Sequence, residues 1–215
     1  STNESLRNVS ITLEKGLMYA IVGPSGAGKT TFVDVCLGLI KPTSGEVIEI
    51  DSGIRYAYVP QHTHLSSVSL KGNVAIEWDD RLINDDLADT AMRQALIENV
   101  FDGRKDDENS SAMSGGQMQR IGIARALYRK PNFLVLDEAT NALDASTEHE
   151  IVGLVENLRS TMTILVVAHR LSTVRNADRV IYFERGEIKG IGTFTELQEK
   201  IPAFAESNTN PSPPT

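Results

Sequence analysis

Leu17-Met18-Tyr19-Ala20-Ile21-Val22-Gly23-Pro24-Ser25-Gly26-Ala27-Gly28-Lys29-Thr30 is six hydrophobic residues running into a glycine-rich turn that closes on Lys-Thr. The hydrophobic run predicts a buried strand over 17–22, and the residues after the turn predict a helix over about 29–39. The last eight residues fit G-x-x-x-x-G-K-[ST] throughout. In that pattern the glycines let backbone N–H groups turn inward around phosphate oxygens, and the helix N-terminus adds a favourable dipole. Lys29 is then placed to reach the outer phosphates of a nucleotide, and the Thr30 hydroxyl to ligate Mg²⁺. Gly23, Pro24, Ser25, Gly26, Ala27 and Gly28 form the cradle. By itself this loop says only "nucleotide phosphate", because kinases and GTPases share it. No Asn-Lys-x-Asp string for guanine recognition occurs in the chain.

Outward from the loop, Lys41-Pro42-Thr43-Ser44-Gly45 ends the first helix and turns the chain. Short strands are predicted at 46–50 and 55–59. From 61 to about 108 the composition becomes acidic and polar, with helical periodicity around 87–100, as in a helical insertion. A second long helix is predicted from Ser114 to about 130, then a buried strand at 133–136, a helix at 147–159 and a buried strand at 163–168. Late strands follow at 179–183 and 187–191, and the Asn-Thr-Asn-Pro-Ser-Pro-Pro-Thr end reads as a disordered tail. Buried strands alternating with helices imply an α/β fold with a mainly parallel sheet covered on both faces.

Composition narrows the class. Hydrophobic residues make up 40% of 215, enough for a core. Lys plus Arg is 21 against 29 Asp plus Glu, a net charge of −8, and such an acidic domain is poorly suited to nucleic acid. Cys36 is the one cysteine, so no internal disulfide forms. No apolar run approaches the roughly 18 residues that span a bilayer.

A second chemical signal stands at Phe133-Leu134-Val135-Leu136-Asp137-Glu138. Ligands of open α/β sheets sit beyond the carboxyl ends of the strands. Asp137 is therefore placed to bind Mg²⁺ through water, and Glu138 to orient an attacking water. Alone, the pair also fits an ordinary acidic strand end.

Between these motifs lies Met113-Ser114-Gly115-Gly116-Gln117-Met118-Gln119-Arg120, then Ile121-Gly122-Ile123-Ala124-Arg125-Ala126-Leu127. Ser114-Gly115-Gly116 before a helix makes a second anion site, although alone it reads better as a helix cap preceded by a loop. After it come Leu136-Asp137-Glu138-Ala139-Thr140-Asn141-Ala142-Leu143-Asp144 and Ala168-His169-Arg170-Leu171-Ser172-Thr173-Val174, and before it Tyr58-Val59-Pro60-Gln61. Five motifs in this order resemble the ATP-binding domain of ABC transporters, from about residue 6 to 204. The resemblance implies a P-loop NTPase-type α/β domain over 1–206, with a helical subdomain inserted at about 62–130, an antiparallel β-subdomain that is trimmed here, and a tail at 207–215. It implies Mg-dependent hydrolysis of ATP, with Lys29, Glu138 and His169 catalytic and His169 on the γ-phosphate. It adds Thr31 to the nucleotide-binding loop, gives Gln61 to Mg²⁺ and to sensing the membrane partner, and places Asp144 at a dimer interface. In such a dimer the loop of one copy and Ser114, Gly115, Gly116 and Gln117 of the other sandwich one ATP. The implied partners are a second ATP-binding domain, identical or a close paralogue, and a transmembrane domain fused upstream. The implied location is the cytoplasmic face of a membrane, without nucleic acid.

The Ala-His-Arg-Leu-Ser-Thr-Val stretch and Gly192-Thr193-Phe194 resemble exporter-type half-transporters that move lipids, lipid-linked sugars or polysaccharides. The alternative is an ABC ATPase of DNA repair or of ribosomes. Repair members carry long coiled coils, whereas the insertion here is about fifty residues without sustained heptads; ribosomal members usually carry two ATPase domains. Several positions depart from the family. Met113 stands for the usual Leu, Asn141 for the usual Ser, and Met118 for the usual Arg. The aromatic ring that stacks on adenine has no counterpart before Leu6, so either the chain is a fragment or adenine binding is weakened; Tyr19 or a partner's ring takes that place only if ATP binds equally tightly with and without the native first strand. His62 and His64 read as surface loop, Trp78 as local packing, and Asp106-Asp107-Glu108 as a solvated loop, although Glu108 matches a glutamate that precedes the signature in exporters.

Overall fold

A computed structural model describes residues 5–97, 113–137, 145–168 and 170–209. In chain order the strands are β1 (Met18–Val22), β2 (Tyr56–Val59), β3 (Phe133–Asp137), β4 (Thr163–Val167), β5 (Arg179–Glu184) and β6 (Glu187–Gly192). The α-helices are α1 (Lys29–Cys36), α2 (Leu70–Ala75), α3 (Asp85–Gln94), α4 (Gly115–Tyr128), α5 (Ala145–Leu158), α6 (Leu171–Asn176), α7 (Phe194–Lys200) and α8 (Pro202–Thr209), with a 3₁₀ turn at Asp80–Leu82. The chain forms two compact units, Ser1–Ile54 with Thr163–Thr215, and Arg55–Met162.

In the first unit β1 lies between β4 and β5 and is parallel to both, with Ala20 beside Val166 on one side and Val180 on the other. All five residues of β1 and of β4 are buried. That is why both read as unbroken hydrophobic runs and not as alternating patterns. β5 returns antiparallel into β6 through Arg185 and Gly186, both at positive φ (51° and 80°), the two-residue turn whose twist suits a hairpin. Helix α1 ends at Cys36, earlier than expected, because Gly38 adopts φ 71° and Leu39 N–H bonds back to Asp34 O at 2.9 Å, closing the helix with a left-handed cap. Helices α7 and α8 bring Phe194 and Phe204 together at 5.5 Å, with Tyr182 of β5 5.7 Å from Phe204. Helix α8 carries ordered backbone to Thr209, past the boundary expected at 206; Pro202 starts it with a φ already suited to a first turn.

The strand expected at 46–50 does not form. Val47, Ile48 and Ile50 are exposed, Ile48 at 70%. Their β-propensity is realised only when another strand supplies ladder partners, and none pairs with them among the described residues. The antiparallel subdomain, expected to be trimmed, thus has no strand over 46–50, while β5 and β6 pair antiparallel.

In the second unit β2 and β3 run parallel, Tyr56 beside Phe133 through Val59 beside Leu136. Helices α2 and α3 pack on α4, whose Ile121, Ile123 and Ala124 are buried. Gly122 of α4 faces Thr63, and a Cβ there would lie 2.4 Å from Thr63 Oγ1. The bare backbone is what lets the segment after β2 cross the helix.

Cys36 is partly buried at the end of α1, and burial pushes its thiol up to about 12. Thiolate is the reactive form. The native chain should therefore react with iodoacetamide at pH 8 at least about a hundredfold more slowly than the denaturant-unfolded chain, whose thiol titrates near 8.5. Mass-spectrometric labelling kinetics check this; equal rates would contradict the burial.

Candidate functional site

The loop from Gly23 to Gly28 is held by its own backbone and by the β5–β6 turn. Gly28, the residue before α1, has φ 100°, and a Cβ on it would meet Ser5 O at 2.6 Å. Gly186 N–H donates to Ala27 O at 3.0 Å, and Arg7 N–H to Gly186 O at 2.7 Å, so the hairpin braces the loop from behind. Pro24, Ser25, Gly26 and Thr30 are exposed, Thr31 is half-buried, and Ala27 points into the core. No side chain at Gly28 caps α1, and a helix N-terminus of this kind suits an anion.

Lys29 is 7% exposed. An ammonium so far out of water needs oxygen partners. Its Nζ donates to Gly23 O at 2.8 Å and Pro24 O at 3.1 Å, folding the side chain back across the loop. The sequence-predicted group Gly23 to Lys29 is thus brought together around one ammonium. Tyr19 is not a ring for adenine. It is 2% exposed in β1, and its hydroxyl accepts Glu14 N–H at 2.8 Å.

In the second unit Ser114 caps α4. Gln117 N–H donates to Ser114 Oγ at 3.3 Å, and Ser114 N–H to Gln117 Oε1 at 3.0 Å. The reciprocal pair satisfies two of the four open helix donors, those of Ser114 and Gln117, at an exposed Ser114-Gly115 tip. Gly116 is buried under Thr147 of α5, whose methyl lies 2.2 Å from where a Cβ would be. Arg120 donates to Leu96 O at 2.9 Å and pairs with Glu150 of α5. Gln61 is exposed beyond β2. Asp137 ends β3, where Tyr58 O–H donates to its Oδ2 at 2.7 Å.

Sequence reasoning missed one buried knot. Asn73 of α2 donates to Ser66 O (3.0 Å), Val68 O (3.1 Å) and Ser69 O (3.2 Å), and accepts Ser66 N–H at 2.9 Å. Arg125 of α4 closes it with bonds to Asn73 O (2.7 Å) and Oδ1 (3.0 Å). Desolvation lowers the Arg125 pKa. The knot ties the segment that follows Gln61 to the helix that Ser114 caps. An asparagine within a short helix, beside Val74 and Ala75, was the available signal. Trp78, expected to pack locally, is 75% exposed. His62 and His64 are also exposed. Glu108, Glu138, Asn141, Asp144 and His169 lie outside the described residues.

The Thr30 hydroxyl, the Gln61 amide and the Asp137 carboxylate are all oxygen donors, the chemistry of a hard divalent cation. No group of three or more His, Cys, Asp or Glu stands together among the described residues. Each of these donor types suits Mg²⁺, which relies on phosphates and waters with one or two carboxylates.

Residues 6–141 match the family model described as ABC transporter. The chain is 35% identical over 218 residues to an ATP-dependent lipid A-core flippase of Ralstonia nicotianae, covering 94% of this chain and 37% of that protein. It is 36% identical over 219 residues to a beta-(1-->2)glucan export ATP-binding/permease protein of Agrobacterium vitis, covering 95% and 38%. A bacterial Atm1-family ABC exporter solved with ATP bound superposes with a TM-score of 0.80 at 28% identity, over 94% of this chain and 38% of that one. The chain thus spans well under half the length of these relatives. The family match takes in both the braced loop and the capped helix α4, and the fold similarity extends over nearly the whole chain. The chain belongs to the ABC transporter family, as a nucleotide-binding domain homologous to those of ABC exporters.

Proposed function

We propose that this chain binds Mg·ATP, hydrolyses it to ADP and phosphate, and couples the closure of two such domains to export through a transmembrane partner. The observation that carries the reading is Lys29, a buried ammonium lying across the loop on the Gly23 and Pro24 carbonyls. A phosphate bound at the N-terminus of α1 would draw a charge-assisted hydrogen bond from that ammonium. Thr30, Thr31 and the loop N–H groups hold the phosphates. Thr30, Gln61 and Asp137 hold Mg²⁺, which when bound neutralises charge on the phosphate oxygens. Glu138 orients the attacking water and takes its proton, and His169 holds the γ-phosphate. The water oxygen bonds to γ-phosphorus as the bond from γ-phosphorus to the bridging oxygen breaks, giving phosphate, and ADP leaves.

Ser114, Gly115, Gly116 and Gln117 belong to the opposite copy's nucleotide, with Asp144 at the interface. The exposed tip of α4 supports this, because its open N–H groups form a second anion site in the same chain. The ATPase domain takes in residues 1–206, with the helical subdomain inserted at about 62–130. No helix among the described residues is long and apolar enough to cross a membrane. The exporter relatives support a transmembrane partner, with this domain at the cytoplasmic face of the membrane. The same relatives favour transport over a role in DNA repair or on ribosomes.

Glu138→Gln should keep ATP affinity and lower steady-state phosphate release by about a hundredfold or more, the scale of losing one group that acts on the transition state. Retained turnover would remove Glu138 from that role. Lys29→Ala should fail earlier, with ATP affinity in equilibrium titration reduced at least about tenfold; unchanged affinity would contradict the phosphate-loop assignment. Specific activity should rise with protein concentration and vanish in Ser114→Arg. Mixing Ser114→Arg with Lys29→Ala chains should restore part of it, since one composite site of each mixed dimer is intact. Activity independent of concentration in demonstrably monomeric protein would refute the shared site.

A further inference from the structure

The register of β2 and β3 puts an unassigned side chain on Asp137. Tyr56 pairs with Phe133, and their rings stand 5.4 Å apart. Tyr58 pairs with Val135. Side chains two apart along a strand share a face, so Tyr56 and Tyr58 of β2 face the same way as Phe133, Val135 and Asp137 of β3. Tyr58 and Asp137 are diagonal neighbours there, a separation that an aromatic side chain spans. The Tyr58 hydroxyl closes it, donating to Asp137 Oδ2 at 2.7 Å. Ala57 and Val59, on the opposite face, are buried and anchor the strand, while Tyr58 is 43% exposed.

We infer that Tyr58 is a positioning residue for the metal, its hydroxyl holding the Asp137 carboxylate in the orientation that receives a Mg²⁺-bound water. The inference rests on the Mg·ATP reading above. An ionised carboxylate has about four acceptor positions, so one phenol proton leaves room for a metal-bound water. Carboxylates that serve metals are commonly oriented by such an outer hydrogen bond. Without it the side chain at the end of β3 samples other rotamers, and the metal must select the productive one at each binding event. Three residues after Tyr58 the same strand end delivers Gln61, the other metal candidate of this unit. One short segment thereby contributes to the metal twice, directly through Gln61 and indirectly through Asp137.

The test is a linkage measurement on the 215-residue chain, with Mn²⁺ as the probe. ATP dissociation constants are measured by equilibrium titration in excess EDTA and in saturating Mn²⁺. Their ratio is the metal's contribution to binding. Tyr58→Phe should reduce that ratio about tenfold, as expected for loss of an outer-shell partner, with unchanged affinity in EDTA and an unchanged melting temperature. Asp137→Asn should reduce it at least as far, and the double variant no further, because Tyr58 acts through Asp137. A wild-type ratio in Tyr58→Phe, alongside a lost ratio in Asp137→Asn, would overturn the inference and leave the Mg·ATP reading standing. So would a Tyr58→Phe protein that loses EDTA affinity and thermal stability together, since that marks a structural bond between the strands. Wild-type protein that gains nothing from Mn²⁺, or Asp137→Asn that keeps the full gain, would remove both the inference and the metal role of Asp137.

Discussion

Lys29 carries a charge into a place with little water, and the loop before α1 is arranged around that fact. A nearly buried ammonium is costly unless oxygens surround it. Here the oxygens come from the backbone of Gly23 and Pro24, six and five residues earlier. The chain must therefore curl back on itself between β1 and α1, which demands the left-handed Gly28 and the close passage of Ser5 behind it. The curl in turn needs a rigid floor. Burial of β1 between two parallel neighbours, and the Gly186–Ala27 hydrogen bond from the adjacent hairpin, supply it.

Helix α4 is fixed by a different means. Its tip is exposed, yet its body is clamped on three sides: by Thr147 over Gly116, by Arg120 to Leu96 and Glu150, and by Arg125 to Asn73. The buried Asn73–Arg125 knot is a polar network with several members satisfied at once. Removing one member would leave the others buried without partners, which costs more than the bond itself contributes. A tip mounted on such a body keeps its N–H groups pointing one way, which is what pre-organised anion recognition requires.

What could be seen in the residues alone depended on how far apart the cooperating groups lie along the chain. The phosphate loop, the Ser114 cap and the Asp137 strand end are contiguous, so motif and local structure coincide. Strands β1, β3 and β4 were legible because burial on both faces makes them uniformly hydrophobic. The Thr193–Glu196 capping box that starts α7 was equally legible and went unread. By contrast, the Tyr58–Asp137 bond joins residues 79 apart and exists only through strand register, and Asn73 meets Arg125 across 52 residues. No local pattern announces either. The unformed strand at 46–50 is the opposite error: local preference was present, and the pairing that would realise it was not.

That last segment has a consequence for handling the protein. Glu46-Val47-Ile48-Glu49-Ile50 is short, β-prone and exposed, with its apolar side chains open to solvent. Segments of this kind recruit identical copies edge to edge and seed aggregation. Glu46 and Glu49 are the charges that oppose such stacking, since like residues would be brought into register. Their repulsion acts across water and is screened by salt, over a distance that shrinks from about 10 Å at 0.1 M to about 3 Å at 1 M ionic strength. High salt thus weakens the repulsion between copies that Glu46 and Glu49 give this exposed apolar stretch.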